Sequence, residues 1–131
     1  MDSCSLIRYG FLKWYRMLNI KYGSVDIPSC PGVYVFRLNR CFGRLQGLSD
    51  ILYIGHAKNL CKRILENHLG GKGGKTTKRI HYYLCKMNYL EYVEVSWITV
   101  DSVKDSMSLE KLLLREYEKD HHELPPWNRA L

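Results

Sequence analysis

The sequence predicts an α/β (α+β) fold: a small three-stranded, mainly antiparallel sheet flanked by helices, with an extra helix at the N-terminus. Three observations predict it. Three short runs are rich in β-branched and aromatic residues, the runs around them carry apolar residues at helical spacing, and a length of 131 residues suits one compact core. We expect residues 1–27 to form an amphipathic helical extension and residues 28–131 to form the main domain.

The N-terminal helix is predicted over residues 6–22. Large apolar residues recur there at i, i+3, i+4 and i+7: Phe11, Trp14, Tyr15 and Leu18. The proline-containing stretch 27–32 then interrupts the chain. Since an amphipathic helix outside the main domain can bind a second copy or a partner protein, we leave that interaction open.

The predicted strands are short. Residues 33–36 and 51–54 are β-branched and aromatic, which is typical of strands. Residues 39–50, rich in glycine and small polar residues, are predicted to form a loop between them. In residues 92–100 the side chains at odd positions, Val93, Val95, Trp97 and Thr99, alternate with those at even positions, which predicts the third strand. Helices packed against this sheet complete the predicted architecture.

Two helices are predicted between the second and third strands. Asn59 is the expected N-cap of the first, which ends near Leu69. A glycine-rich basic loop, residues 70–75, follows it. Residues 79–90 are predicted to form the second helix.

The last predicted helix begins at Ser106 or Ser108 and ends near His121, before two prolines. Glu110 stands at the first position of an apolar stripe that continues at i+3, i+4 and i+7: Leu113, Leu114 and Tyr117. The Glu110 carboxylate is therefore expected to border the inward-facing side of this helix.

The net charge of +7 is concentrated in one segment. Residues 58–86 contain eight basic residues and one acidic residue. A concentrated basic segment attracts a polyanion, which makes a nucleic acid the predicted partner. The residues expected to contact its phosphates are Lys58, Lys62, Lys72, Lys75, Lys78 and Arg79.

Composition argues against several other classes. The five cysteines are odd in number and irregularly spaced, unlike a disulfide framework or a zinc knuckle. No run of about 18 apolar residues occurs, and the first residues lack the layout of a secretory signal. We expect an intracellular, cytoplasmic protein that associates with a nucleic acid and not with a membrane.

Five sequence elements occur in a fixed order: Pro31-Gly32-Val33-Tyr34, Tyr53-Ile54-Gly55, Arg63 ten residues after Tyr53, Glu110 in the last helix, and Pro125-Pro126-Trp127-Asn128. Together they resemble the GIY-YIG nuclease family, with Val33 in place of the middle isoleucine. The resemblance covers about residues 30 to 128.

The resemblance implies a metal-dependent DNA endonuclease that hydrolyses phosphodiester bonds with a single Mg²⁺ or Mn²⁺ ion. Such hydrolysis requires an activated water and neutralisation of the charge that grows on the phosphate. Glu110 is the implied metal ligand, since Mg²⁺ takes one or two carboxylates and keeps several waters.

The resemblance also implies roles for four other residues. Arg63 would clamp the phosphate with its permanently charged guanidinium. Tyr34 would orient or deprotonate the attacking water, and Tyr53 would hydrogen-bond to phosphate or water. Asn128 would orient a neighbouring group or fasten the chain end. Gly55 is expected to permit a close approach of the backbone.

One position departs from the family pattern. The family often places His or Tyr four residues after the arginine, where this chain has Asn67, while His68 follows at plus five. Regular helix geometry puts Asn67 on the face of Arg63 and His68 on the apolar stripe. Because imidazole can transfer a proton near neutral pH, we predict that His68 reaches the site.

The sequence also excludes or leaves open other functions. Residues 72–77 do not form a P-loop, since Leu69 stands where that motif requires glycine and a helix precedes the loop. The remaining histidines, at positions 56, 81, 121 and 122, are predicted to be structural or surface residues.

The main alternative function is a non-catalytic DNA-binding module of the same fold. Repair, restriction, homing and viral contexts all remain open.

Overall fold

The computed structural model describes residues 1–23 and 25–129. In this part of the chain, four strands form one antiparallel sheet. The strands are β1 (Tyr15–Arg16), β2 (Gly32–Gly43), β3 (Leu48–Ala57) and β4 (Val93–Thr99), in the spatial order β1-β4-β2-β3. The predicted fold class is confirmed, with one strand more than expected.

Four helices flank the sheet: α1 (Met17–Tyr22), α2 (Leu60–Lys62, continuing as a π-helix over Arg63–Leu69), α3 (Lys75–His81, continuing as a π-helix over Tyr82–Lys86) and α4 (Val103–His121). Two 3₁₀ helices, Ser3–Tyr9 and Tyr89–Glu91, complete the regular structure of the described residues. None of the helices within residues 1–23 and 25–129 combines the length and apolar character needed to cross a bilayer.

The prediction of one helix over residues 6–22 is wrong. Gly10 has φ of 103°, in the left-handed region, and its N–H caps the 3₁₀ helix Ser3–Tyr9. The chain then extends and pairs Tyr15 with Val95 before α1 begins. Phe11 is fully buried, and Trp14, Tyr15 and Leu18 are partly buried, so the apolar spacing reflects side chains that enter the domain's own core from a loop, a short strand and a short helix.

The predicted loop over residues 39–50 is also wrong. β2 continues to Gly43 and β3 begins at Leu48, so only residues 44–47 connect them. Most side chains at the end of this hairpin are exposed or half-buried, and residues 44–46 hydrogen-bond to the end of α4 and the residues after it. Strand ends of this kind lack the alternation of apolar and polar side chains by which a strand is recognised in a sequence.

Helix starts were predicted with mixed success. Asn59 caps α2 as expected, accepting a hydrogen bond of 3.0 Å from the Lys62 N–H. α3 begins four residues earlier than predicted, at Lys75. The predicted start of α4 is wrong because Ser102 is the cap, while Ser106 is buried inside the helix.

The sheet separates two apolar clusters. On one face, Tyr34 and Phe36 pack with α1, α2, α3 and Trp127. On the other, Val33 and Val35 pack with α4 and the N-terminal segment. This alternation along β2 sends Tyr34 toward α2, where the candidate site lies.

Candidate active site

The two tyrosines of the paired motif share one face of the sheet. Tyr34 on β2 pairs with Gly55 on β3, and the rings of Tyr34 and Tyr53 lie 5.9 Å apart between centroids. A Cβ atom added to Gly55 would lie 2.8 Å from the Tyr34 hydroxyl oxygen and 2.6 Å from a Tyr53 ring carbon. Position 55 therefore excludes side chains because the two rings occupy the space, the close approach expected from the sequence.

His68 lies directly against Tyr34. Its Nε2 atom is 2.6 Å from the Tyr34 hydroxyl oxygen, and its ring also packs on Phe36 and Tyr53. His68 is 1% exposed. The π-helical geometry of Arg63–Leu69 explains the position, since a π-turn brings residue i+5 to the place that residue i+4 has in an α-helix. The structure thus places His68 beside Tyr34.

Asn67, the alternative to His68, faces a different environment. Its side-chain amide donates a hydrogen bond to the carbonyl of Lys72 and lines a surface depression. That depression, about 520 Å³, also contains Arg63, Lys58 and Lys62. Its lining includes three cationic side chains and no acidic one, which suits an anionic ligand.

Burial shifts the pKa values of His68 and Tyr34 so that both groups stay neutral. Burial lowers the pKa of His68 to about 3, and the positive charge of Arg63 acts in the same direction. Burial raises the pKa of Tyr34 well above its usual value near 10; Tyr53 adds to this increase and Arg63 opposes it. At neutral pH the pair is therefore a neutral imidazole beside a neutral phenol.

Glu110 lies on the α4 side of β3, at the border of the buried stripe that the sequence predicted. Its Oε2 atom is 2.8 Å from Nδ1 of His56, and 18% of its side chain is exposed. After burial, the negative charge of Glu110 is the largest cause that raises the pKa of Tyr53. Glu110 is close enough for its charge to affect Tyr53, although α4 packs on the face of the sheet opposite the two tyrosines.

The surroundings of Glu110 fit a hydrated cation better than a protein cage. Within residues 1–23 and 25–129, no group of three or more His, Cys, Asp and Glu side chains could hold a metal ion. A hard cation at Glu110 would complete its coordination with water and substrate oxygens, which is how Mg²⁺ is commonly bound. A partly exposed carboxylate permits this arrangement.

His56 was predicted to be a structural or surface residue, and the structure shows it partly exposed and hydrogen-bonded to Glu110. The signal for this position was present but unused. His56 directly follows the motif Tyr53-Ile54-Gly55, and strand alternation points it away from Tyr53, toward α4.

Asn128 binds the backbone of β3. Its Oδ1 accepts a hydrogen bond of 3.0 Å from the Ile54 N–H, and its Nδ2 donates one of 2.9 Å to the Ile54 carbonyl. The Trp127 N–H donates to the carbonyl of Leu52. Residues 127–128 thus cover the open edge of β3, which corresponds to the fastening role among the two roles expected for Asn128.

The remaining basic residues surround this site or lie on α3. Arg79 donates a hydrogen bond to the carbonyl of Trp127, and burial lowers its pKa. The lysines named as DNA contacts are all exposed: Lys58, Lys62, Lys72, Lys75 and Lys78. Among the described residues, none of these lysines is in an ion pair, so their charges are available to a ligand.

Comparison with known proteins finds related sequences. The chain is 30% identical over 102 residues to the UvrABC system protein C of Protochlamydia amoebophila, and 30% identical over 102 residues to that of Mycoplasma mycoides. Each match covers 77% of this chain but only 14% or 15% of the relative.

The fold also matches a solved structure, the GIY-YIG N-terminal endonuclease domain of UvrC from Thermotoga maritima bound to magnesium. The TM-score is 0.51 at 23% identity, over 85% of this chain and 92% of that one. The model of the GIY-YIG catalytic domain family matches residues 30–123. The chain therefore belongs to the GIY-YIG catalytic domain family.

Proposed function

We propose that this chain is a divalent-metal-dependent DNA endonuclease that hydrolyses phosphodiester bonds. The observation that carries the proposal is the Tyr34–His68 pair beside Tyr53, within the influence of Arg63 from the cationic depression on one side and of Glu110 on the other. The endonuclease activity named for the Thermotoga maritima domain supports it.

Glu110 is the protein ligand that would hold a single Mg²⁺ or Mn²⁺ ion. The Thermotoga maritima domain is described as bound to its catalytic divalent cation, magnesium, which supports the choice of ion. When bound, such a cation supplies Lewis-acid polarisation of a phosphate oxygen and makes a coordinated water more acidic.

Arg63 binds the phosphate in this mechanism. Its guanidinium is always charged and presents several donors in a planar fork that matches phosphate oxygens. The neighbouring Lys58 and Lys62 extend the same positive surface along the DNA backbone.

Tyr34 and His68 move the proton of the attacking water. The Tyr34 hydroxyl donates its proton to Nε2 of His68 while its oxygen accepts a proton from the water. The water oxygen forms a bond to phosphorus, and the bond from phosphorus to the leaving sugar oxygen breaks. That oxygen then takes a proton from solvent.

Arg63 also affects how favourable this transfer is. In the free protein, burial is the main cause that disfavours the imidazolium form of His68, and the charge of Arg63 adds to it. A phosphate that binds Arg63 brings negative charge to the same place and opposes this effect. The imidazole is therefore a better base in the substrate complex than in the free protein.

Tyr53 serves as a hydrogen-bond donor. Burial and the charge of Glu110 raise its pKa, so its hydroxyl stays protonated at neutral pH. A protonated phenol can donate to a phosphate oxygen or to the attacking water. Because it carries no negative charge, it does not compete with the phosphate for an ion pair with Arg63.

Incubation with labelled duplex, branched and single-stranded DNA, with Mg²⁺ or with a chelator, tests the proposal. We expect Mg²⁺-dependent cleavage that Glu110→Ala abolishes while DNA binding persists. Glu116→Ala, on the same helix but paired with Tyr9, is the matched control and should cut normally. Binding without cleavage by the unchanged protein would favour the non-catalytic DNA-binding module instead.

A further inference from the structure

We propose that His56 is a positioning residue that fixes the Glu110 carboxylate for binding of the cation. The inference rests on the proposed function, because it takes Glu110 as the metal ligand. No sequence motif assigns a partner to His56; the contact with Glu110 is a feature of the folded chain.

The contact joins two separate elements of the domain. His56 is near the end of β3 and faces α4, where Glu110 lies more than fifty positions later in the chain. An ionised carboxylate can only accept hydrogen bonds, so the 2.8 Å contact is a donation from Nδ1 of His56 to Oε2 of Glu110. This bond restricts the rotation of a long, partly exposed side chain.

The same bond leaves a binding position open. Among the described residues, His56 is the one hydrogen-bond partner of the Glu110 carboxylate, and it occupies Oε2. Oε1 therefore remains for a cation. A site with a single protein carboxylate depends on the orientation of that carboxylate, since no other side chain in residues 1–23 and 25–129 completes a cluster of three.

The chemistry of the cation favours positioning over direct ligation by the imidazole. Mg²⁺ is a hard cation that takes oxygen ligands, whereas imidazole suits transition metals such as Zn²⁺ and Ni²⁺. Hydrogen bonds to ligating carboxylates typically contribute 10- to 100-fold to metal affinity or activity. A hydrogen bond from Nδ1 supplies this contribution without adding a nitrogen ligand.

Titration with Mn²⁺ alone, followed by the loss of the sharp electron paramagnetic resonance signal of hydrated Mn²⁺, tests the inference without DNA or turnover. We expect His56→Ala to weaken Mn²⁺ binding by about 10- to 100-fold. His56→Asn, whose amide can donate from a position close to that of Nδ1, should recover most of the loss. Glu116→Gln should bind Mn²⁺ like the unchanged protein.

A second measurement separates positioning from general damage. The Mg²⁺ concentration for half-maximal cleavage should rise in His56→Ala, while the rate at saturating Mg²⁺ changes much less. Melting temperatures should stay similar, because 32% of the His56 side chain is exposed.

Several results would overturn the inference. Unchanged Mn²⁺ affinity in His56→Ala would remove any role at the metal, and equal weakness of His56→Asn and His56→Ala would indicate direct ligation by the imidazole. If Glu110→Gln bound Mn²⁺ normally, the metal site of the proposed function would fail and the role of His56 with it. Loss in Glu110→Gln with no loss in His56→Ala would overturn this inference alone.

Discussion

The hydroxyl oxygen of Tyr34 lies 2.6 Å from Nε2 of His68, although His68 stands five residues after Arg63. The π-helical segment Arg63–Leu69 makes this possible by adding one residue to a turn. π-Helical segments are rare and often occur at functional sites. The same widening leaves Asn67 on the surface, so the two neighbouring residues have separate environments.

Tyr34→Phe should fold and cut slowly. The change keeps the ring but removes the hydroxyl that hydrogen-bonds to Nε2 of His68, and loss of a general base or its relay typically costs 10²- to 10⁴-fold in rate. Leaving a buried imidazole nitrogen without its partner should cost about 1–3 kcal/mol of stability. Single-turnover cleavage and urea denaturation measure both effects. Tyr9→Phe, which loses a hydroxyl bonded to Glu116, is the control, and a near-normal rate in Tyr34→Phe would return Tyr34 to a packing role.

His68→Ala should lose both rate and stability, whereas Asn67→Ala should change both little. His68 is buried among three aromatic rings, so its removal leaves a cavity as well as an unpaired Tyr34 hydroxyl. Asn67 donates one hydrogen bond to a loop carbonyl. Cleavage rates and melting temperatures of the two variants give the comparison. A normal rate with reduced melting temperature in His68→Ala would show that His68 only fills the core.

The sequence predicted the central parts of the fold and site better than their edges. The motif tyrosines, Arg63 and Glu110 could be placed because strand and helix periods assign their faces. The prediction of the N-terminal helix failed because Gly10 ends the first helical segment. The apolar spacing does not indicate that Gly10 adopts a left-handed backbone conformation. The His56–Glu110 contact could not be predicted from spacing, since it depends on how α4 packs across β3. The π-turn that places His68 likewise depends on tertiary structure, because it is associated with the contact between the imidazole ring and Tyr34.

The low pKa of His68 predicts a specific pH dependence of stability. The folded protein holds the imidazole neutral down to about pH 3, whereas an unfolded histidine binds a proton below about 6.5. The unfolded state therefore binds more protons between these values, and the stabilisation present above pH 6.5 is lost as pH falls toward 3. Between these pH values, the contribution of His68 to the free energy of unfolding should change by about 1.4 kcal/mol per pH unit. Urea denaturation at pH 7 and pH 5 should show a weaker dependence in His68→Gln than in the unchanged protein; equal dependence would argue against a buried neutral His68.

Lys58 and Lys62 should contribute directly to DNA affinity. Both line the cationic depression with Arg63, so replacing them by Gln should weaken binding to all sequences about equally. If both contact phosphates, the slope of log affinity against log salt should flatten by about twice 0.9. Lys13→Gln with Lys119→Gln removes the same net charge away from the depression and is the matched control. Equal salt slopes for the two double variants would mean that the depression does not face the DNA.

Asn128→Ala should reduce stability more than it alters the chemistry. The change removes two hydrogen bonds to Ile54 and uncovers the backbone of β3 at the strand that carries Tyr53. Two such bonds contribute about 1–3 kcal/mol together. Asn128→Asp keeps an acceptor for the Ile54 N–H but directs a negative charge at the Ile54 carbonyl, so it should be at least as unstable as the alanine variant. Thermal melts and single-turnover rates below the melting range distinguish the roles. Unchanged melting with abolished cleavage would show that Asn128 acts on the reacting groups and does not merely fasten the chain end.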